Sequence, residues 1–250
     1  MTNDLLAGRR ILVTGGSRGL GLAMAQAAGE AGAELVLAAR NQSQLDSSVA
    51  ELAEAGIAAT AVAADLADPA ETDRLVQQVS ERGLHGVVHA AGVQHRAPAD
   101  EFGDEDFARV VEVNLASPFR LTRELVRNDV MGSLRSVVLV GSLGSSIAIP
   151  RAVAYAASKS GLLGLARTIA AEWAPRNIRV NVLSPGYFYT ELTADLLDDP
   201  EQRARVTGRI PMGRLGHPSE LGGAAVFLLS DWAGYVTGQQ LVVDGGWLGA

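Results

Sequence analysis

Apolar residues fall in short, nearly continuous runs separated by longer amphipathic stretches. Ile11 to Thr14, Leu35 to Ala39, Ala59 to Ala63, Gly86 to Ala90, Val137 to Val140, Val180 to Leu183 and Leu241 to Val243 predict seven strands. Helical periodicity predicts helices at about 19 to 31, 43 to 55, 69 to 82, 104 to 130, 152 to 174 and 218 to 230. Strands without polar alternation are covered on both faces, which in a βαβα rhythm means a parallel sheet between two helical layers. The expected fold class is therefore α/β, a single-domain doubly wound Rossmann architecture. The longest irregular stretch, about 185 to 218, carries only short helical patches and is expected to act as a substrate lid.

The 250 residues suit one domain over 1 to 250, and 48% apolar with 20% charged residues is a globular composition. A net charge of −7 argues against nucleic acid as a partner while allowing a local phosphate site. With no cysteine, disulfides, thiolate nucleophiles and thiolate-bound zinc are excluded, and no metal site is expected. Met1 to Arg10 lacks a secretory pattern and no apolar run reaches spanning length, so a cytoplasmic, membrane-free location is expected.

Chemistry-bearing residues follow the strands. After the first comes Thr14-Gly15-Gly16-Ser17-Arg18-Gly19-Leu20-Gly21, a glycine turn opening a helix, where backbone amides approach a pyrophosphate closely. The second strand ends Ala38-Ala39-Arg40-Asn41, without the carboxylate that would accept from ribose hydroxyls. Arg40 and Arg18 instead suit a two-arginine clamp on a 2′-phosphate, favouring NADP(H) over NAD(H). Asp65, followed by Leu66 after the third strand, either accepts from the adenine amino group or caps the next helix.

Tyr155 and Lys159 stand at i and i+4 near the start of a strong helical pattern, so they share a face. A cation there is expected to lower the phenol's pKa towards a usable acid/base, and Ser142 at the end of the fifth strand adds a hydroxyl to the same substrate oxygen. A bare Tyr-x-x-x-Lys recurs by accident; its company here gives it weight.

With the glycine turn, Ser142, Tyr155 and Lys159 together, the chain resembles the short-chain dehydrogenase/reductase family from Arg10 to Gly246. The resemblance implies hydride transfer between nicotinamide and a secondary alcohol or ketone. It implies a relay with Tyr155 as acid/base, Ser142 orienting the carbonyl, Lys159 on the nicotinamide ribose and Asn114 holding a water. It further implies that Ala91, Gly92, Pro185, Gly186, Phe188 and Thr190 line the nicotinamide, and that the assembly is a homotetramer packed through the helices around 104 to 130 and 152 to 174. One departure is His89-Ala90-Ala91-Gly92, where the family commonly has Asn-Asn-Ala-Gly. Ala90 loses the usual side-chain hydrogen bonds there, and His89 is expected to be a packing residue.

Narrower similarity, carried by Gly92 to Arg96, Pro185 to Thr193 and Val243 to Trp247, is to sugar-acid dehydrogenases related to gluconate 5-dehydrogenase. Arg96 is placed to pair with a substrate carboxylate, and Gln94 and His95 to bond hydroxyls, although all three also suit exposed positions. The runner-up is a 3-oxoacyl-thioester reductase, whose acyl-carrier-protein partner wants a basic patch such as Arg120, Arg123 and Arg127 on one helical face. A catalytically silent NADP-sensing protein is the remaining class, and the intact Ser142, Tyr155 and Lys159 argue against it.

Overall fold

The computed structural model describes residues 4–129 and 132–250. All seven expected strands are present: β1 (Arg10–Thr14), β2 (Glu34–Ala39), β3 (Ala59–Ala63), β4 (Gly86–His89), β5 (Ser136–Val140), β6 (Arg179–Pro185) and β7 (Gln240–Val243). They form one parallel sheet in the order β3-β2-β1-β4-β5-β6-β7. Ile11 and Val13 point into one apolar core and Leu12 into the other, so β1 is buried on both faces and reads as an unbroken apolar run.

Helices α1 (Gly19–Glu30), α2 (Gln42–Glu54) and α9 (Pro218–Leu229) cover the first core, supplying Met24, Leu45 and Leu221. Helices α3 (Pro69–Ser80), α4 (Asp104–Val111), α5 (Ser117–Arg127) and α6 (Val153–Trp173) occupy the other side, where Leu75, Leu121 and Leu162 enter the second core. No helix among the described residues is long and apolar enough to cross a membrane.

The expected single helix over 104 to 130 is interrupted. A π turn, Glu112–Ala116, separates α4 from α5, and Pro118 follows in the first turn of α5. A π turn adds a residue without breaking the coil, so the amphipathic pattern continues across it. Position 130, the expected end, lies outside the described residues. The 185 to 218 stretch is also better ordered than its sequence suggests. Helices α7 (Glu191–Leu197) and α8 (Pro200–Thr207) share a small core in which Leu197, Val206 and Ile210 meet Leu143 and Trp247.

The chain runs outward from β1 to β3 and returns to β4 on the other side of β1, so the crevice of this sheet opens between the C-terminal ends of β1 and β4.

His89, the last residue of β4, lies fully inside. Thr122 Oγ1 donates to Pro118 O at 2.7 Å, so at 2.8 Å from His89 Nε2 it accepts a proton from the ring. That leaves Nδ1 an acceptor with no partner among the described residues. Burial disfavours the imidazolium and pulls the pKa down to about 3. An unfolded imidazole titrates near 6.5, so the folded state's advantage is complete above that pH and falls at about 1.4 kcal/mol per pH unit as the solution is acidified towards 3. Urea unfolding at pH 7 and pH 5 is expected to show a smaller acid loss for His89→Asn than for the parent chain. Equal losses would mean that His89 takes up no proton on unfolding.

Candidate active site

The crevice holds a cleft of about 460 Å³. One half is lined by Gly15, Ser17, Arg18, Gly19, Leu20, Gly21, Arg40, Asp65 and Leu66, and the other by Ala91, Gly92, Tyr155, Lys159, Pro185 and Thr190. Residues predicted from separate parts of the chain are thus brought to one sheet edge.

At the nucleotide end, Gly15 has φ +64°, and a Cβ there would lie 2.7 Å from Ala91 N, so only glycine lets the first turn pass the β4 loop. Gly19, at φ +57°, has Thr190 opposite as its nearest neighbour, 3.9 Å from where a Cβ would stand. Arg18 is the N-cap of α1 yet makes no side-chain cap bond, leaving the first amides of the helix facing the turn without a side-chain acceptor. A glycine-walled cleft ending on free helix amides fits a dinucleotide's phosphates.

Arg40 follows β2 directly and lines the cleft, and no carboxylate pairs with it among the described residues. Arg18 differs: its guanidinium is ion-paired to Glu191, the first residue of α7. Of the two readings of Asp65, the helix cap falls away. Asp68 caps α3, accepting from Ala70 N at 2.8 Å, while Asp65 accepts from Ala67 N at 3.0 Å in the preceding turn.

At the chemical end, the first turns of α6 place Tyr155 and Lys159 on the cleft wall. Lys159 is 4% exposed, and its Nζ donates to Val140 O at 2.7 Å. Burial disfavours its charge and brings the ammonium down to about 8, so most of it stays protonated at neutral pH. Desolvation also pushes the Tyr155 phenol up, opposed by hydrogen bonding with Ser142 and by the charge of Arg96. The expectation that Lys159 lowers this phenol is not met in the chain alone. Its ammonium donates to the Val140 carbonyl and sits 5.8 Å from the tyrosine ring centre.

Ser142 Oγ accepts from Gly144 N at 3.1 Å, which leaves its proton free to donate. Behind it, buried Ser145 accepts from Ser142 N at 3.2 Å and donates to Lys159 O at 2.9 Å, tying the end of β5 to α6. Ser145 was not anticipated, because nothing local in Leu143-Gly144-Ser145 marks it as a bridge to a helix 14 residues on.

Asn114 sits in the π turn, and its side chain is bonded to the protein on both sides of the amide. Oδ1 accepts from Val93 N at 2.8 Å, and Nδ2 donates to Val93 O at 2.9 Å and to Ser158 Oγ at 3.2 Å. It clamps the β4 loop to the helices.

Two expected nicotinamide contacts are absent from the cleft wall. Phe188 is 3% exposed, with its ring against Gly216, and Gly186 packs on Asp244. An aromatic ring in this segment gains more from the core than from a solvated cleft. Gln94 and Arg96 lie on the loop after β4, outside the cleft lining. With its amide oxygen turned to the guanidinium, Gln94 accepts from Arg96 Nε at 2.6 Å and Nη2 at 3.0 Å. His95 pairs with Asp106 at 3.5 Å. The anticipated basic patch is largely offset: Arg120 pairs with Glu112 at 2.6 Å, and Arg123 and Arg127 share Glu124 at 2.8 and 2.9 Å.

A family model described as enoyl-(acyl carrier protein) reductase matches residues 15–248. Gluconate 5-dehydrogenase of Gluconobacter oxydans is 36% identical over 246 residues, covering 96% of this chain and 95% of that protein. The chain belongs to the short-chain dehydrogenase/reductase family. Its relatives in that family differ in substrate: 3beta-hydroxysteroid dehydrogenase 1 of Eggerthella lenta is 38% identical over 247 residues, covering 97% of this chain and 95% of that one. Among solved structures, gluconate 5-dehydrogenase from Burkholderia cenocepacia in complex with NADP and tartrate matches with a TM-score of 0.94 at 35% identity, over 100% of this chain and 99% of the other. As a member of this family the chain is an oxidoreductase acting on CH–OH groups.

Proposed function

We propose that this short-chain dehydrogenase/reductase interconverts a sugar acid and its keto form with NADP(H), gluconate and 5-ketogluconate being the pair to test. The observation that carries the substrate reading is Arg96, an exposed guanidinium on the loop that leaves β4 through the cleft residues Ala91, Gly92 and Val93. It puts a carboxylate-binding group on the loop that continues from the cleft wall, a side chain that suits an acid better than a sterol. Two relatives are named for gluconate, and tartrate in one of them is a hydroxy acid.

Bound NADP(H) supplies or accepts hydride at the substrate carbon. For reduction, Tyr155 gives its proton to the carbonyl oxygen while Ser142, its hydroxyl set by Gly144 N–H, donates a second hydrogen bond to that atom. Lys159 keeps a cation in the buried wall behind them. Asn114 holds the β4 loop through Val93 and is the residue assigned to hold a relay water. Segment 185 to 218 is read as the lid, and the helices around 104 to 130 and 152 to 174, which expose Phe107, Phe119 and Val153, as the faces of a cytoplasmic homotetramer.

Purified protein is expected to oxidise NADPH with 5-ketogluconate. Arg96→Ala is expected to raise KM about tenfold or more while lowering kcat less, the pattern of lost substrate binding. Turnover of an acetoacetyl thioester with none of the keto acid would install the acyl-thioester reading instead. The pairing of Arg120, Arg123 and Arg127 with Glu112 and Glu124 weighs against that reading.

A further inference from the structure

We infer that Glu191 tunes the choice between NADPH and NADH from the lid, by competing with a cofactor phosphate for Arg18. This rests on the reading of Arg18 and Arg40 as a phosphate clamp. The two arginines are not equivalent: both line the same cleft, but only Arg18 is engaged by a carboxylate. That carboxylate comes from 173 positions away, at the start of α7, and itself lines the cleft. The pair therefore spans from the glycine turn to the lid.

Glu191 has no other ion-pair partner among the described residues, and its side chain is 71% exposed against 56% for Arg18. A pair this open is weak and screened by salt, so a phosphate dianion displaces it readily, but not without loss. The loss falls only on a ligand that uses Arg18. A cofactor carrying a 2′-phosphate must share the guanidinium with Glu191 or take it, and in either case two negative charges meet at the cleft mouth. One lacking that phosphate leaves the pair intact. Glu191 thus narrows the discrimination that Arg40 and Arg18 together would impose, and occupancy by the phosphorylated cofactor unfastens the start of α7 from the glycine turn.

The test is equilibrium binding of NADPH and of NADH, followed by fluorescence, to the full chain and to Glu191→Gln, Arg18→Gln and the double variant. Glu191→Gln is expected to tighten NADPH by up to about fivefold, the upper range for an exposed ion pair, with NADH changed by less than about twofold. The gain should shrink with added salt and vanish in the Arg18→Gln background. Unchanged NADPH affinity in Glu191→Gln would overturn the inference. So would equal weakening of both cofactors, which would make the ion pair a strap that closes over any dinucleotide. Failure of the clamp itself reads differently: NADPH would bind no more weakly to Arg40→Ala than to the parent chain, whatever Glu191 does.

Discussion

Tyr155→Phe is expected to reduce kcat by about 10²- to 10⁴-fold, the range for removing a positioned general acid/base, while NADPH still binds with its parent affinity. The substitution deletes one oxygen from a half-buried ring at the start of α6. The ring keeps its place against Lys159, whose ammonium remains fixed by Val140 O. Because the phenol is pushed up by desolvation, it stays protonated at neutral pH in the chain alone, the form required to reduce a ketone. Ser142 donates from a fixed position but is not expected to replace the proton. Steady-state turnover with a saturating keto acid, beside a fluorescence titration of NADPH, separates the two effects. Unimpaired turnover would remove Tyr155 from the proton transfer. A parallel loss of NADPH binding would show that the phenol serves the cofactor site instead.

Arg40→Ala carries the second large effect. A guanidinium bonded to a phosphate contributes about 1.5–3 kcal/mol, so NADPH affinity should fall about 10- to 100-fold while NADH changes by less than about twofold. No carboxylate holds Arg40 among the described residues, and it sits at the end of β2 with Asn41 already capping α2 through Gln44 N, so its loss leaves the local backbone intact. Stopped-flow or equilibrium titration of both cofactors is the check. A loss shared equally by NADPH and NADH would assign Arg40 to the common part of the dinucleotide and end its role in selection.

Much of the site was legible because its signals are local. The glycine turn lies within seven residues after β1, and Tyr155 and Lys159 are one helical turn apart on α6. Where the expectations failed, a competing residue or a tertiary neighbour intervened. Asp65 lost the helix cap to Asp68, three residues on and better placed at the N-terminus of α3. Phe188 follows the right strand, but the space beside Gly216 takes its ring into the core. Arg120, Arg123 and Arg127 share a helical face as read, yet Glu112 and Glu124 offset most of the charge that made the face interesting. The π turn at Asn114 leaves the apolar pattern continuous, so only the backbone reveals it.

The sequence by itself determined the seven strands, the alternation that makes them parallel, the glycine turn and the spacing of the tyrosine and lysine. Each of these is set by hydrophobic period or by the conformational freedom of a few consecutive residues. The tertiary structure alone decided which charges pair with one another, that Glu191 reaches Arg18, that Ser145 joins Ser142 to Lys159, and that burial shifts the pKa of Tyr155, Lys159 and His89 from its ordinary value. Ion pairing and desolvation depend on which atoms surround a group, and here those atoms arrive from strands and helices far apart in the chain.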